Sequence, residues 1–343
     1  MKKKNIINLI RYHAEGNDSA FRTEAYEIAQ DFDKSGDVEL AEYILAQLSS
    51  ANTFIPQIAE DDLSFFKKEI YEEEPLPLPE TIKDDIVGII NAIGHNVGIN
   101  KFLFQGEPGT GKTVCAKQVA KILKRDLYAV DFNSVIDSKL GQTSKNIATL
   151  FEQMNNVSNP DKIVFLFDEI DAIAMDRTNS NDLREMGRAT TAVLKGFDSM
   201  NEQIVLIATT NLFSSFDKAL TRRFDTVIDF NRYTKQNLIE VAEILLDFYL
   251  DKFKFAGRNM RLFKKILNRM EKIPMPGELK NYLKISLAFS KANDEFDYLK
   301  RIYNDVMKGK EITLKVMHEQ GFTVREIEIL SGVSKSQVSR EIM

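Results

Sequence analysis

The chain has 343 residues, 43% of them hydrophobic and 28% charged, with a formal net charge of -5 at pH 7. That length supports two or three domains with a sizeable core, and the balance of apolar and charged residues excludes a disordered or collagen-like chain. The mildly acidic charge gives no global attraction to nucleic acid or an anionic membrane, and no apolar run approaches the ~18 residues of a membrane span. The single cysteine, Cys115, rules out an internal disulfide and fits a reducing compartment. The start, Met1 to Ile10, has a basic head without the long apolar stretch of a signal peptide, so a cytoplasmic location is expected. His13, His95 and His318 are far apart and have no ligand spacing.

Residues 1–50 are expected to form a helical hairpin. Ala20 to Phe32 carries apolar residues at helical spacing after an N-cap at Asp18 or Ser19. Lys34-Ser35-Gly36-Asp37 signals a turn, and Val38, Leu40, Ala41, Ile44, Leu45 and Leu48 repeat the helical pattern. The hairpin reads equally as a partner-binding module and as a packing element. Residues 51–80 read as a linker ending in the acidic, proline-rich Glu72-Glu73-Glu74-Pro75-Leu76-Pro77-Leu78-Pro79, too stiff and donor-poor for a helix.

From 81 to 232 helices and strands alternate. Strands are expected at 101–105, 127–131, 163–167, 203–208 and 226–230. Ile163-Val164-Phe165-Leu166-Phe167 is apolar at every position, as in a parallel strand covered on both faces. After the first strand comes Gly106-Glu107-Pro108-Gly109-Thr110-Gly111-Lys112-Thr113, which fits the P-loop pattern G-x-x-x-x-G-K-[ST]. Its glycines let backbone N–H groups turn toward phosphate, and the following helix, from Val114, aims its positive end at the same anion. Lys112 would reach the β- and γ-phosphates of ATP, and Thr113 would ligate Mg²⁺. Cys115, just beyond, reads as a small core residue. Asp168 and Glu169 follow the 163–167 strand. The aspartate is placed to hold Mg²⁺ through water, and the glutamate to act as general base. Ile204 to Thr210 is another buried strand with a polar end, where Asn211 can sit beside the γ-phosphate. Arg222 and Arg223 lie in Phe216-Asp217-Lys218-Ala219-Leu220-Thr221-Arg222-Arg223-Phe224-Asp225 and read either as a transition-state arginine acting in trans or as a surface salt-bridge pair.

These four stations resemble the AAA clade of the AAA+ ATPases, of the stand-alone bacterial type, over about residues 81–290. The carrying motifs are Gly-x-x-Gly-Thr-Gly-Lys-Thr, Phe-Asp-Glu-Ile-Asp, Ala-Thr-Thr-Asn and Ala-Leu-x-x-Arg-Phe-Asp. The resemblance implies a P-loop α/β module with its parallel sheet between helices, and a helical lid over 233–295. It also implies a homo-oligomeric ring, usually a hexamer, whose sites are completed by a neighbour's arginine. Asn211 takes the sensor position. Gly277, in Pro276-Gly277-Glu278-Leu279-Lys280, falls at the lid contact to the nucleotide, with Lys280 or Lys284 as the lid cation. Two departures stand out. Arg222 replaces a glycine of the arginine box, and Arg223 is favoured as the finger. The pore segment aligns with Lys139-Leu140-Gly141 and lacks the aromatic that grips a peptide of any sequence. Lys139 suits an acidic peptide or a phosphate backbone, and a plain subunit contact is the alternative.

Residues 296–343 resemble the helix-turn-helix of recombinases and bacterial regulators. Gly321 ends one helix, Thr323 caps the next, and Ser331-Gly332-Val333-Ser334 turns into a third. Ile327, Leu330, Val333 and Val338 would form its core. Lys335, Ser336, Gln337 and Arg340 would face duplex DNA. Near-balanced charge over this stretch makes protein docking the rival reading. Three roles follow: a ring ATPase remodelling a protein, a DNA-associated ATPase, and a nucleotide-gated scaffold.

Overall fold

The computed structural model describes residues 3–14, 18–34, 37, 40–41, 44, 63–70, 75–136, 141–171, 180–213 and 218–342. The chain divides into two compact units, one of residues 1–64 with 156–159 and one of the remainder.

In the first unit, α1 (Lys3–Ala14) packs along α2 (Asp18–Lys34). Asn8 Nδ2 donates to Glu24 Oε2 at 3.0 Å, and Ala25, Ile28 and Ala29 are buried. The expected 20–32 helix is present within α2, which pairs with α1 before it. Most of the second helix expected at 38–48 lies outside the described residues, as do 51–62 and 71–74 of the expected linker.

The second unit is built on a six-stranded sheet of order β1-β3-β4-β5-β2-β6. The strands are β1 (Phe66–Lys68), β2 (Lys101–Gln105), β3 (Asp126–Val130), β4 (Ile163–Phe167), β5 (Val205–Thr210) and β6 (Thr226–Asp229). Pairing is parallel throughout except for β1, which runs antiparallel to β3 with Phe66 opposite Val130. The five expected strands are present within one or two residues of the expected ends. β1 was not expected, because three residues inside a linker carry too little pattern.

Helices cover both faces. α3 (Glu80–Gly94) and α4 (Lys112–Ile122) bury Ile82, Ile86, Cys115 and Val119 against Phe102, Phe104 and Phe230. After α5 (Phe132–Val135), α6 (Gln142–Asn155) and α7 (Ser180–Asp198) cover the other face. There Phe151, Phe167, Phe197 and Phe224 meet in a chain of mostly edge-on contacts, with centroids 5.2–6.4 Å apart. The short α8 (Lys218–Thr221) precedes β6.

Seven helices complete the unit: α9 (Lys235–Leu250), α10 (Met260–Asn268), α11 (Pro276–Ala288), α12 (Asp297–Val306), α13 (Leu314–Glu319), α14 (Val324–Ser331) and α15 (Lys335–Ile342). Among the described residues none is long and apolar enough to cross a membrane. Local signals set their ends. Thr234 and Thr323 close capping boxes on α9 and α14, Pro276 opens α11 and Gly332 ends α14 at φ +74°.

One apolar core runs from Leu238 to Val338, so the division expected at 295/296 marks a change of motif within a continuous core. Ile327, Leu330 and Val338 are buried as expected, together with Phe322, whose ring lies edge-on to Tyr303 at 5.5 Å. Lys265 Nζ bonds Glu326 Oε2 at 2.6 Å and Gly321 O at 3.2 Å, and Arg269 donates to Gln320 O. Burial alone would raise the Glu326 pKa, but the bonds from Lys265 and from the Thr323 N–H hold it below its ordinary value. Helices α13–α15 are therefore fastened to α10 and the preceding core by both apolar and ionic contacts. Phe322→Ala should cost about 3–5 kcal/mol. Hydrogen exchange should show lost protection in α10 and α12 as well as in α13–α15. Loss confined to 311–342 would mean that the tail folds by itself.

Candidate functional site

In a parallel sheet the residues just past the carboxyl ends of neighbouring strands share one crevice. Here β5 lies between β2 and β4. The loop after β2, the acidic turn after β4 and Asn211 after β5 are therefore brought together in the order the sheet dictates.

The loop 106–111 wraps the start of α4. Gly111 is its N-cap, at φ +96°, a left-handed conformation that calls for glycine, with Leu76 Cδ1 packed close against it. Thr110 is fully buried. Its hydroxyl donates to Glu107 O at 2.8 Å, and its carbonyl accepts from Tyr233 Oη at 3.0 Å, so it shapes the loop rather than facing the cavity. The buried Lys112 ammonium donates to Gly106 O at 2.8 Å, Glu107 O at 3.0 Å and Asn211 Oδ1 at 2.8 Å. Burial lowers its pKa, opposed by the charges of Asp168, Asp171 and Glu169.

Thr113 Oγ1 donates to Asp168 Oδ1 at 2.8 Å. The same carboxylate oxygen accepts from Thr209 Oγ1 at 2.7 Å, while Thr209 Oγ1 accepts the Glu169 N–H at 2.8 Å. This bridge supports Glu169 in a left-handed conformation, φ +52°, that a side chain rarely adopts. Asn211 Nδ2 reaches Glu169 Oε1 at 3.3 Å. One amide thus sits between the loop lysine and the expected general base. Thr113 and Asp168 offer a hydroxyl and a carboxylate side by side, oxygen donors that suit Mg²⁺ completed by water and phosphate. Among the described residues no group of three or more His, Cys, Asp or Glu side chains could hold a metal unaided.

A cavity of about 340 Å³ opens over these groups. Pro108, Gly109, Gly111, Lys112, Thr113 and Val114 form its floor, and Glu169, Thr209 and Asn211 its polar end. Pro75, Leu76, Pro77, Leu245 and Pro276 supply an apolar wall, and Gly277 and Lys280 reach in from α11.

Residues 102–232 match the family described as "ATPase family associated with various cellular activities (AAA)". An uncharacterized AAA family ATPase of Sinorhizobium fredii, y4kL, is 41% identical over 133 residues, 39% of each chain. The proteasome-activating nucleotidase of Methanococcus maripaludis is 29% identical over 227 residues, 63% of this chain and 52% of its own. A chain of the solved E. coli MS115-1 HORMA:CdnC:Trip13 complex superposes with TM-score 0.55 at 15% identity, over 75% of this chain and 99% of that one, which shows the fold alone. The chain thus spans about half the length, or less, of these two curated relatives. Residues 102–232 form an AAA-family ATPase domain.

Around this ATPase domain the other expected residues fall in different places. Arg223 is turned onto its own chain: Nε and Nη2 reach the two oxygens of Asp198 at 3.1 and 3.3 Å, and Nη1 reaches Ala219 O at 3.2 Å. Arg222 is exposed and makes no side-chain hydrogen bond or ion pair among the described residues. Lys139 and Leu140 lie outside the described residues; Gly141, at φ +78°, immediately precedes α6. Lys284 rests over the Tyr249 ring at 5.2 Å, whereas Lys280 lines the cavity. Lys335, Ser336, Gln337 and Arg340 are exposed on α15. Glu328 Oε1 accepts the Lys335 N–H at 2.9 Å, so a carboxylate covers the first turn of that helix. Cys115 is buried, which pushes its thiol up to about 12 and leaves it inert, as a core residue should be.

Leu76, Thr209, Asp171 and Tyr233 escaped sequence reasoning as site residues. The Thr-Thr pair before Asn211 was the available signal for Thr209, and the Pro-Leu-Pro run for Leu76; nothing local marks Tyr233.

Gly277 packs on the ATPase P-loop itself. Its N–H donates to Gly109 O at 2.7 Å, and an added Cβ would lie 2.9 Å from Gly109 Cα. Gly277→Ala should therefore push lid and loop apart and raise the Kd for a fluorescent ATP analogue about tenfold, consistent with ~1–3 kcal/mol for overpacking. Unchanged affinity would show that this contact does not shape the cavity.

Proposed function

We propose that the protein is a Mg²⁺-dependent ATPase that acts as a homo-oligomeric ring, most simply a hexamer, and couples hydrolysis to remodelling a protein substrate or partner. The observation that carries the chemistry is Asn211 held between Lys112 and Glu169. On binding ATP, Lys112 exchanges its carbonyl partners for phosphate oxygens, and the apolar wall of Leu76, Pro77 and Leu245 receives the base. Thr113 and Asp168 would hold Mg²⁺, which neutralises phosphate charge. Asn211 and Glu169 orient a water. Glu169 takes its proton as the oxygen attacks the γ-phosphorus, and ADP leaves with the bridging oxygen.

The active site takes its last cation from a neighbouring subunit, and Arg222 fits that part better than Arg223. A finger must present an uncompensated guanidinium, and Arg223 is already spent on Asp198. Protein remodelling is favoured by the likeness to a proteasome-activating nucleotidase. Without an aromatic at 139–141, grip on an acidic peptide by Lys139 replaces sequence-indifferent threading.

ATP turnover tests this reading. Lys112→Ala should abolish it, and Glu169→Gln should keep nucleotide affinity while losing about 10²–10⁴ in rate. Arg222→Ala should cost on the order of 10³ in the assembled ring. Arg223→Ala should instead leave turnover of the assembled ring largely intact and change the unfolding midpoint little, as for a solvent-screened ion pair. Hydrolysis that survives Glu169→Gln overturns the base assignment.

The exposed polar face of α15 supports a second reading as a DNA-associated ATPase in the cytoplasm, although Glu328 at the helix start disfavours phosphate there. Turnover stimulated by duplex DNA at low salt, and lost with Lys335→Ala/Arg340→Ala, would favour it. Indifference to DNA favours the protein substrate.

A further inference from the structure

We propose that Asp171 is a positioning residue for hydrolysis, fixing Asn211 between the lysine and the general base; the inference rests on the ATPase reading of this site. Asp171 is 7% exposed and follows the acidic turn after β4. Its two oxygens cross to the end of β5 and take consecutive residues. Oδ1 accepts the Thr210 hydroxyl, and Oδ2 accepts the Asn211 N–H at 3.0 Å. Thr210 is itself fully buried, and its Oγ1 accepts the Leu212 N–H at 3.1 Å, so the exit of the strand is held on both sides of Asn211.

A buried carboxylate is costly unless it is well bonded. Among the described residues Asp171 has no ion-pair partner in contact, so two neutral donors bear that cost. The arrangement does more than tie two strands together. It places the backbone of the one residue whose side chain spans Lys112 Nζ and Glu169 Oε1. Asp171 does not line the cavity. It therefore acts on the reacting groups through Asn211 and should influence the chemical step more than nucleotide affinity. Lys112 also lies within reach of its charge.

The test uses the full-length protein with Asp171→Ala, Asp171→Asn and Thr210→Val. Affinity for a fluorescent ATP analogue, ATP turnover and the unfolding midpoint are measured for each. Asp171→Ala should lower kcat about tenfold or more with Kd within about threefold of wild type, the pattern of a contribution made in the transition state. Asp171→Asn should restore most of the rate, because its amide can accept the Asn211 N–H and donate to Thr210 Oγ1. A merely structural role would move Kd, kcat and the midpoint together, and Asn would not rescue the rate selectively; that result, or full activity in Asp171→Ala, overturns the inference. If Asp171→Ala does not fold, Thr210→Val decides. A lower kcat at unchanged Kd supports the role, and wild-type kcat removes it. A wild type that binds ATP without turning it over sinks the ATPase reading and this inference with it. An active wild type matched by Asp171→Ala sinks the inference alone.

Discussion

The site depends on β5 lying between β2 and β4. A parallel sheet sends all its carboxyl ends to one side, so this strand order alone sets Asn211 between a phosphate-binding loop and an acidic turn. The remaining bonds refine that placement. Thr209 ties Asp168 to the Glu169 backbone, and Asp171 ties the β4 exit to the β5 exit. Each bond joins neighbouring strands within a few residues of their ends. The acidic groups therefore move as a body with the sheet, whereas the loop and the lid meet them from outside.

The helical segment expected as a lid over 233–295 is part of a larger apolar body. Its core continues through Phe322, Ile327 and Val338, and Lys265 and Arg269 on or just after α10 bond the residues around the α13–α14 turn. The lid also touches the nucleotide loop directly through Gly277 and Gly109, and Tyr233 links the start of the lid to the Thr110 carbonyl. Strain placed on the loop thus has a short path into α9 and α11, and from there into a packed core that includes the terminal helices. Helices α13–α15 share their hydrophobic contacts with α9–α12 rather than hanging from them on a tether.

What was legible in the sequence was local. The glycines and Lys112 lie within eight residues of one another, and the buried strands before Gly106, Asp168 and Asn211 announce themselves by unbroken apolar runs. Helix ends at Thr323 and Gly332 were readable for the same reason, since a cap bonds its own first or last turn. Pairings across long stretches of chain were not readable. The bond of Arg223 to Asp198, 25 residues away on α7, is one such pairing, since nothing in either segment names the other. β1 was missed because its stability comes from β3, some sixty residues on, rather than from its own three residues. Leu76 looked like linker until the fold set it against Gly111.

Lys112 shows how these constraints bear on affinity. A buried ammonium cannot stay unbonded, and here two loop carbonyls and Asn211 satisfy it. Phosphate must therefore compete with good partners, and the net gain on binding is a difference between two sets of charge-assisted bonds. The Asn211 backbone is itself fixed at the end of β5 by its N–H bond to Asp171 Oδ2. One side chain therefore bonds both the buried loop lysine and Glu169, so a change at either group bears on the other through Asn211.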